Sequence, residues 1–386
     1  MEILHDFDGG SIVVLGDPDE DAEVSLALRP DSAADLRQWF CFRSWGEPGE
    51  RRAFRIEDAG DAEYPGGWEA YRACASYDGE DWFRVATRFE DGVLRFRHVP
   101  SRRGITFACF APYPHARHRR LLGRAARAGR RDESGRSSVP VRVHPIGETV
   151  QGRPISAITF GDEGPSALRV WVIARQHPGE TMAAWCAEGI VDRLLDPGDP
   201  VVAALLEDAA ITIVPGVNLD GGVLGNHRTN AAGRDLNRAW DAPDLEETPE
   251  VFAVRAAMLE TGVDLFLDVH GDESVPFAFA AACEGNPGYT PRIAALEERF
   301  MEHLAAANPA FSVEPGYARD EPGEADLSSA SNWVGERFDC LSLTLELPFK
   351  DDARHPDRAR GWSPGKSAAF GRSVVEAILL GLPGLR

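Results

Sequence analysis

Five short segments of this sequence carry residue types that could bind a metal and hydrolyse a bond. His177 and Glu180 stand three apart across Pro178-Gly179. That turn leads into a helical pattern at Thr181, so an imidazole and a carboxylate can face one point. Catalytic zinc typically takes three protein ligands and keeps a place for water, and two histidines with one glutamate is a known set. An HxxE match alone is weak, because a capping glutamate and a hydrogen-bonded histidine explain it equally well. His270, at the end of the apolar run over 264–270, could complete the set. Glu346 lies in Leu341-Ser342-Leu343-Thr344-Leu345-Glu346-Leu347. An unpaired carboxylate in such a run is costly, so it must act as a base or sit in a salt bridge. Two further pieces follow Asn218: Gly225-Asn226-His227-Arg228-Thr229-Asn230 and Asp235-Leu236-Asn237-Arg238-Ala239-Trp240. Arginine meets a carboxylate with a planar fork, so this loop could hold the free terminus of a peptide; a solvated surface pair is the alternative.

These residues share a placement. Four apolar runs, 168–174, 210–217, 264–270 and 341–347, end in Arg175-Gln176-His177, Asn218, His270 and Glu346. Helical patterns alternate with them: Ala187, Ile190, Val191, Leu194 and Leu195 after Thr181, then 252–259 and 293–304. The alternation predicts a mixed, largely parallel sheet with helices on both faces, and in such sheets ligands bind beyond the carboxyl ends of the strands. Up to about Pro112 the texture differs, with short strand-like runs at 11–16, 23–30, 38–45, 52–58, 82–100 and 105–112, and Glu90-Asp91-Gly92 where a hairpin turn belongs. The expected fold is an N-terminal antiparallel β-sandwich domain over 1–115 followed by an α/β/α domain over 116–386. Between them, Arg117, Arg119, Arg120, Arg124, Arg127, Arg130 and Arg131 precede a polar DESGRSS stretch. A solvated helix and a flexible loop at the junction explain this run better than a phosphate-binding patch does.

A length of 386 residues suits two domains. With 41 Lys plus Arg against 62 Asp plus Glu, the net charge of −21 repels phosphate backbones, so no nucleic-acid partner is expected. The opening MEILHDFDGG leads into no apolar run of signal length, and no stretch approaches the roughly 18 apolar residues of a membrane span, which points to a cytoplasmic protein without a membrane partner. Six cysteines, far apart and without a CxxC pair, read as buried free thiols in a reducing compartment.

Taken together, His177-Pro178-Gly179-Glu180, Gly225-Asn226-His227-Arg228, Asp235-Leu236-Asn237-Arg238-Ala239-Trp240, Asp268-Val269-His270-Gly271 and Leu343-Thr344-Leu345-Glu346-Leu347 resemble the zinc metallocarboxypeptidase family. The HPGET, GNxR and DLNRxW wording, with Phe110-Ala111-Pro112-Tyr113-Pro114 closing the β-rich part, resembles its cytosolic carboxypeptidase-like subfamily, and the likeness runs in order over about 107–350. The resemblance implies a carboxypeptidase-like catalytic domain with one zinc ion per chain, held by His177, Glu180 and His270. It implies Glu346 as the general base and Arg228 as the group that polarises the scissile carbonyl. Asn237 and Arg238 would grip the C-terminal carboxylate of a peptide or protein substrate, and Asp235 would orient a zinc-binding histidine. It further implies removal of an acidic C-terminal residue, met by Arg319 or Arg337. Two departures stand against a simple transfer. Asp272 and Glu273 follow His270-Gly271 and would repel an acidic side chain, and the lid tyrosine of secreted relatives has no counterpart, since Tyr317 lies twenty-nine residues before Glu346. The alternatives are a zinc deacylase of the aspartoacylase and succinylglutamate desuccinylase type, which shares HxxE and DLNR elements, and a catalytically inactive peptide-binding relative.

Overall fold

The computed structural model describes residues 1–130, 139–314 and 316–386. Ten short strands come first: β1 (Glu2–Leu4), β2 (Val13–Val14), β3 (Val24–Ala27), β4 (Cys41–Trp45), β5 (Arg52–Ile56), β6 (Cys74–Ser76), β7 (Trp82–Arg84), β8 (Ala86–Glu90), β9 (Val93–His98) and β10 (Gly104–Ala108). They form two five-stranded sheets, ordered β1-β4-β10-β6-β7 and β2-β3-β5-β9-β8. Alternation along each strand sends one aromatic set inward, and the sheets meet through Phe42–Phe54, Phe54–Phe107 and Phe96–Phe107, with ring centroids 5.0, 5.2 and 5.6 Å apart. Asp91 and Gly92, with φ of 51° and 75°, close the β8–β9 hairpin where expected; two successive positive φ values match the right-handed twist of the flanking strands. One pairing departs from the antiparallel expectation: β3 runs parallel to β5.

The remainder comprises α1 (His115–Ala128), β11 (Val141–Glu148), β12 (Pro154–Phe160), β13 (Leu168–Ala174), α2 (Thr181–Leu194), α3 (Pro200–Asp208), β14 (Ala209–Val214), α4 (Leu219–Leu224), α5 (Pro249–Thr261), β15 (Leu265–Asp272), β16 (Phe279–Ala281), α6 (Pro291–Ala307), α7 (Ala330–Phe338), β17 (Leu341–Pro348) and α8 (Pro364–Gly381). The strands make one sheet ordered β11-β12-β14-β13-β15-β17-β16. β14, β13, β15 and β17 pair in parallel, and β11, β12 and β16 are antiparallel additions at the two edges. The four parallel strands are the four apolar runs of the sequence. The edge strands were not legible there, because β11 contains Pro145 and Gly147 at a bulge and shows no clean alternation.

Period two along the central strands decides where the chemistry goes. Val170, Val172 and Ala174 of β13, Leu265, Leu267 and Val269 of β15, and Leu341, Leu343, Leu345 and Leu347 of β17 face the core shared with α2, α6 and α8. Trp171, Ile173 and Phe266 face the other way, towards α5 and α7. Asp268 and His270, and Thr344 and Glu346, share that second parity, so these polar residues emerge on one face near the carboxyl ends of their strands. The first core is continuous with the aromatic core of the N-terminal sheets.

The arginine-rich helix is only partly solvated, which corrects the sequence expectation. His118, Leu121 and Ala125 of α1 are buried, Arg117 and Arg124 both reach the buried Glu188 of α2 at 2.7 and 2.8 Å, and Arg117 lies 4.0 Å above Trp185. The loop expected at 132–138 lies outside the described residues.

Candidate metal centre and catalytic site

The turn after β13 is built for close approach. Arg175 takes a left-handed conformation, φ 61°, unusual for a residue with a Cβ, and its guanidinium compensates by binding the carbonyls of Pro178 at 3.0 Å and Tyr113 at 2.8 Å. Gly179 donates its N–H to the His227 carbonyl at 2.8 Å, and a Cβ there would stand 2.7 Å from His227 Nδ1, so only glycine lets the two loops touch. This turn delivers His177 and Glu180, while β15 delivers His270 and β17 delivers Glu346 at the adjacent register position.

His177, Glu180 and His270 converge, each buried, with their ligand atoms within 4.8 Å of one another. His177 Nδ1 is 2.7 Å from Glu180 Oε1, His270 Nδ1 is 2.8 Å from Glu180 Oε2, and the two Nδ1 atoms are 3.2 Å apart. Behind them, Asp235 Oδ1 lies 3.0 Å from His177 Nε2 and Asp268 Oδ2 lies 2.8 Å from His270 Nε2. A carboxylate on each Nε2 assigns the ring proton to that nitrogen and turns the Nδ1 lone pairs on one another and on a carboxylate. Two lone pairs facing each other beside a carboxylate repel unless positive charge lies between them. The 3.2 Å spacing is about the edge of a tetrahedron with ~2 Å bonds, so the donor set fits zinc. The electrostatics agree. Burial alone would raise the Glu180 carboxyl and lower the His270 imidazole; the attraction of Glu180 to both histidines, and of His270 to Asp268 and Glu180, reverses both, leaving Glu180 below and His270 well above the usual range.

Glu346 is buried, and its Oε2 has no hydrogen-bond partner among the described residues. Burial, reinforced by Glu180, Asp272 and Asp268, holds its carboxyl well above the ordinary value despite the opposing pull of His270. A desolvated carboxyl with a free oxygen beside a cation-seeking cluster is equipped to take a proton.

Asp235 also joins the centre to Arg228: its Oδ2 accepts from Arg228 Nε at 2.7 Å, and Arg228 Nη1 donates to the Tyr64 hydroxyl at 2.6 Å. Arg238 is half exposed, 3.6 Å from Asp326, and lines a cavity of about 680 Å³ together with Thr344 and Tyr317. Asn237 next to it uses its Oδ1 internally, accepting from Ala330 N at 2.8 Å and Gln176 Nε2 at 3.2 Å. Tyr317 stacks edge-on against Phe279 and donates to Asp272 at 2.7 Å, so the residues of the two departures are hydrogen-bonded to each other. Glu273 points away from this cavity, 3.3 Å from His227 Nε2 and against Gly67. Arg319 lines the cavity 3.8 Å from Glu284, whereas the Arg337 guanidinium lies over Phe338 and is not among the lining residues.

The structure joins His177, Glu180, His270, Asp235 and Arg228 in one network, sets Glu346 beside His270, ties Asn237 in through Gln176, places Arg238 and Arg319 on the cavity and Arg337 off it, and adds four residues that were missed. Asp268 was legible in principle, since two residues before His270 on a strand is the same face. Gln176 lay in a quoted turn; it ties Asp268 at 2.6 Å and Trp240 at 2.8 Å into the same network. Asp31 and Tyr64 reach the site from the N-terminal sheets, and no local pattern in the sequence announces such a long-range contact.

Comparison with known proteins follows the same division of the chain. Residues 3–110 match the family described as cytosolic carboxypeptidase N-terminal domain, and residues 134–359 match zinc carboxypeptidase. A metallo-carboxypeptidase from Pseudomonas aeruginosa, solved in complex with (2-guanidinoethylmercapto)succinic acid, superposes with a TM-score of 0.94 at 44% identity over 100% of both chains. A metallo-carboxypeptidase from Burkholderia cenocepacia gives 0.92 at 43% identity over 99% of this chain and 98% of that one. An uncharacterized protein of Zymomonas mobilis is 40% identical over 98% of this chain and 96% of its own length. Mouse cytosolic carboxypeptidase 3 is 35% identical over 36% of this chain, which is 14% of the mouse protein. The matched residues contain the whole of the histidine, glutamate and arginine cluster, and the chain belongs to the zinc carboxypeptidase family, with a cytosolic carboxypeptidase N-terminal domain ahead of its catalytic part.

Proposed function

We propose that this metallocarboxypeptidase hydrolyses the last peptide bond of peptides or proteins with one zinc ion per chain, held by His177, Glu180 and His270, and with Glu346 as general base. The observation that carries the reading is the convergence of three buried donors, each histidine backed by a carboxylate, beside a buried carboxyl with an unpaired oxygen. Residues 1–115 form the N-terminal domain in this reading and 116–386 the catalytic one. The free, buried state of all six cysteines supports a cytoplasmic setting. No helix among the described residues is long and apolar enough to cross a membrane.

Zinc, when bound, lowers the pKa of a water towards about 7 and polarises a carbonyl. Glu346 then takes the proton of the attacking water and returns it to the leaving amine, Tyr317 being engaged by Asp272. Arg228, held by Asp235 and Tyr64, receives the charge that develops on the carbonyl oxygen. Arg238 grips the terminal carboxylate at the mouth of the cavity, and Asn237 sets its backbone by accepting from Ala330. The Glu346→Gln protein should fold and keep its zinc while losing roughly 100- to 10,000-fold in kcat. Activity within a fewfold of wild type would remove Glu346 from the mechanism.

The terminal side chain enters the same cavity. The acidic residue implied by the resemblance would meet Arg319 alone, and six carboxylates, Glu284, Glu297, Glu298, Glu302, Asp320 and Asp326, line the walls. Burial pushes the Glu297 carboxyl up to about 7, so a cation nearby would return it to its charged form. The Pseudomonas relative's ligand carries, by its name, a guanidinium beside carboxylates. The cavity therefore favours a terminal Lys or Arg over Glu or Asp. Peptides differing only in the last residue should show kcat/KM at least about tenfold higher for the basic ends; the reverse order would restore the acidic preference.

A further inference from the structure

The loop 225–229 that carries Arg228 is held chiefly by the N-terminal domain. The Asp31 carboxylate, 6% exposed, accepts from the N–H groups of His227 at 2.5 Å, Arg228 at 3.0 Å and Thr229 at 2.7 Å, and from the Thr229 hydroxyl at 2.9 Å. Next to it, Ser32 N donates to Asn226 Oδ1 at 2.9 Å, and Asn226 Nδ2 returns a bond to the Ser32 hydroxyl at 3.1 Å. Three consecutive N–H groups turned on one carboxylate fix the backbone of the loop, and those bonds counter part of the desolvation cost that burial imposes, which still holds the Asp31 carboxyl above its ordinary value.

Tyr64 completes the arrangement from a second segment of the same domain. Its hydroxyl takes the bond from Arg228 Nη1, its ring lies 5.8 Å from the guanidinium carbon and its centroid 6.1 Å from that of His227. Tyr64 is itself clamped by the buried Gln38, whose amide accepts from Tyr64 N at 3.0 Å and donates to Tyr64 O at 3.2 Å. With Nε on Asp235 and Nη1 on Tyr64, the guanidinium plane is fixed at two corners, and Nη2 has no hydrogen-bond partner among the described residues.

We infer that Tyr64 and Asp31 are positioning residues: the N-terminal domain preorganises Arg228 for the charge that develops on the scissile carbonyl, and this is a catalytic duty of that domain. The inference rests on the role proposed for Arg228. An arginine left to sample rotamers must be ordered during the reaction, and a misplacement of about 1 Å in a positioned group can cost on the order of 100-fold in rate.

Tyr64→Phe removes one oxygen and keeps the ring, so it should retain zinc, melting temperature and KM for a free-acid peptide while lowering kcat about 10- to 100-fold. A thermodynamic cycle separates this from a structural effect. On an Arg228→Ala background the Tyr64→Phe change should lower kcat less than twofold, because the oxygen acts through the guanidinium. Asp31→Asn, which keeps the shape and loses the charge, should lower kcat in the same coupled way, and Asp31→Glu should recover less than the full activity. A Tyr64→Phe kcat within twofold of wild type, or equal losses with and without Arg228, would overturn the inference. A wild-type protein that hydrolyses no peptide would instead count against the proposed function.

Discussion

The two histidines and the arginine at the centre are each held at two points. His177 is fixed between Glu180 and Asp235, His270 between Glu180 and Asp268, and Arg228 between Asp235 and Tyr64. Such outer carboxylates set the tautomer and basicity of the nitrogen that faces a metal, and losing one typically costs about 10- to 100-fold in metal affinity. His177→Ala should therefore lose stoichiometric zinc by elemental analysis, and Asp268→Asn should keep the fold but release zinc to a chelator at about 10- to 100-fold lower competitor strength. Full zinc occupancy in His177→Ala would sink the ligand set. At this scale most of the site was legible: a His-x-x-Glu turn, a His and a Glu ending apolar strands, and an Arg-rich loop each break a local pattern. The charge of the pocket was not. Glu284, Glu297, Glu298 and Glu302 break no local pattern in the sequence, and only the packing of α6 buries Glu297 and sets the others along the same cavity.

Elements carry these residues to one place because a strand alternates its faces. The leucines of β17 bury on the α2 and α8 side, which obliges Thr344 and Glu346 to emerge on the other. The parallel strands could be read from the sequence for that reason, while β11, β12 and β16, short or interrupted, could not. The case of α1 shows the opposite limit: an arginine-rich segment looks solvated until a buried partner, Glu188, is known. Its His118 offers a test at this scale. Burial, with repulsion from His115 and Arg175, lowers the His118 imidazole from 6.5 to about 3. Between those values the unfolded chain binds a proton that the folded one refuses, so stability falls as pH falls below about 6.5. From pH 7 to pH 5 the wild type should lose about 2 kcal/mol more than His118→Gln in urea unfolding. Equal losses would show that the imidazole is not desolvated as the packing of α1 implies.

At the scale of the molecule, two kinds of sheet share one continuous hydrophobic core, and residues from both parts of the chain meet at Arg228. Arg84 of β7 donates to the carbonyls of Phe349 at 2.6 Å, just beyond β17, and Trp362 at 3.1 Å, so the N-terminal sheets are bonded to the chain that follows Glu346. The net charge of −21, which argued only against nucleic acid in the sequence, takes on a local meaning in the carboxylate-lined cavity beside Arg238. That arginine is the claim on which exopeptidase action turns. A charged hydrogen bond between its fork and a terminal carboxylate contributes on the order of 1.5–3 kcal/mol, and an amide cannot supply it. The most direct measurement compares one peptide as free acid and as C-terminal amide on the zinc-loaded protein. The free acid should be cleaved at its last bond at least about tenfold faster in kcat/KM, with the gap shrinking in Arg238→Ala. Equal rates on the two forms, or cleavage at internal bonds, would contradict the account.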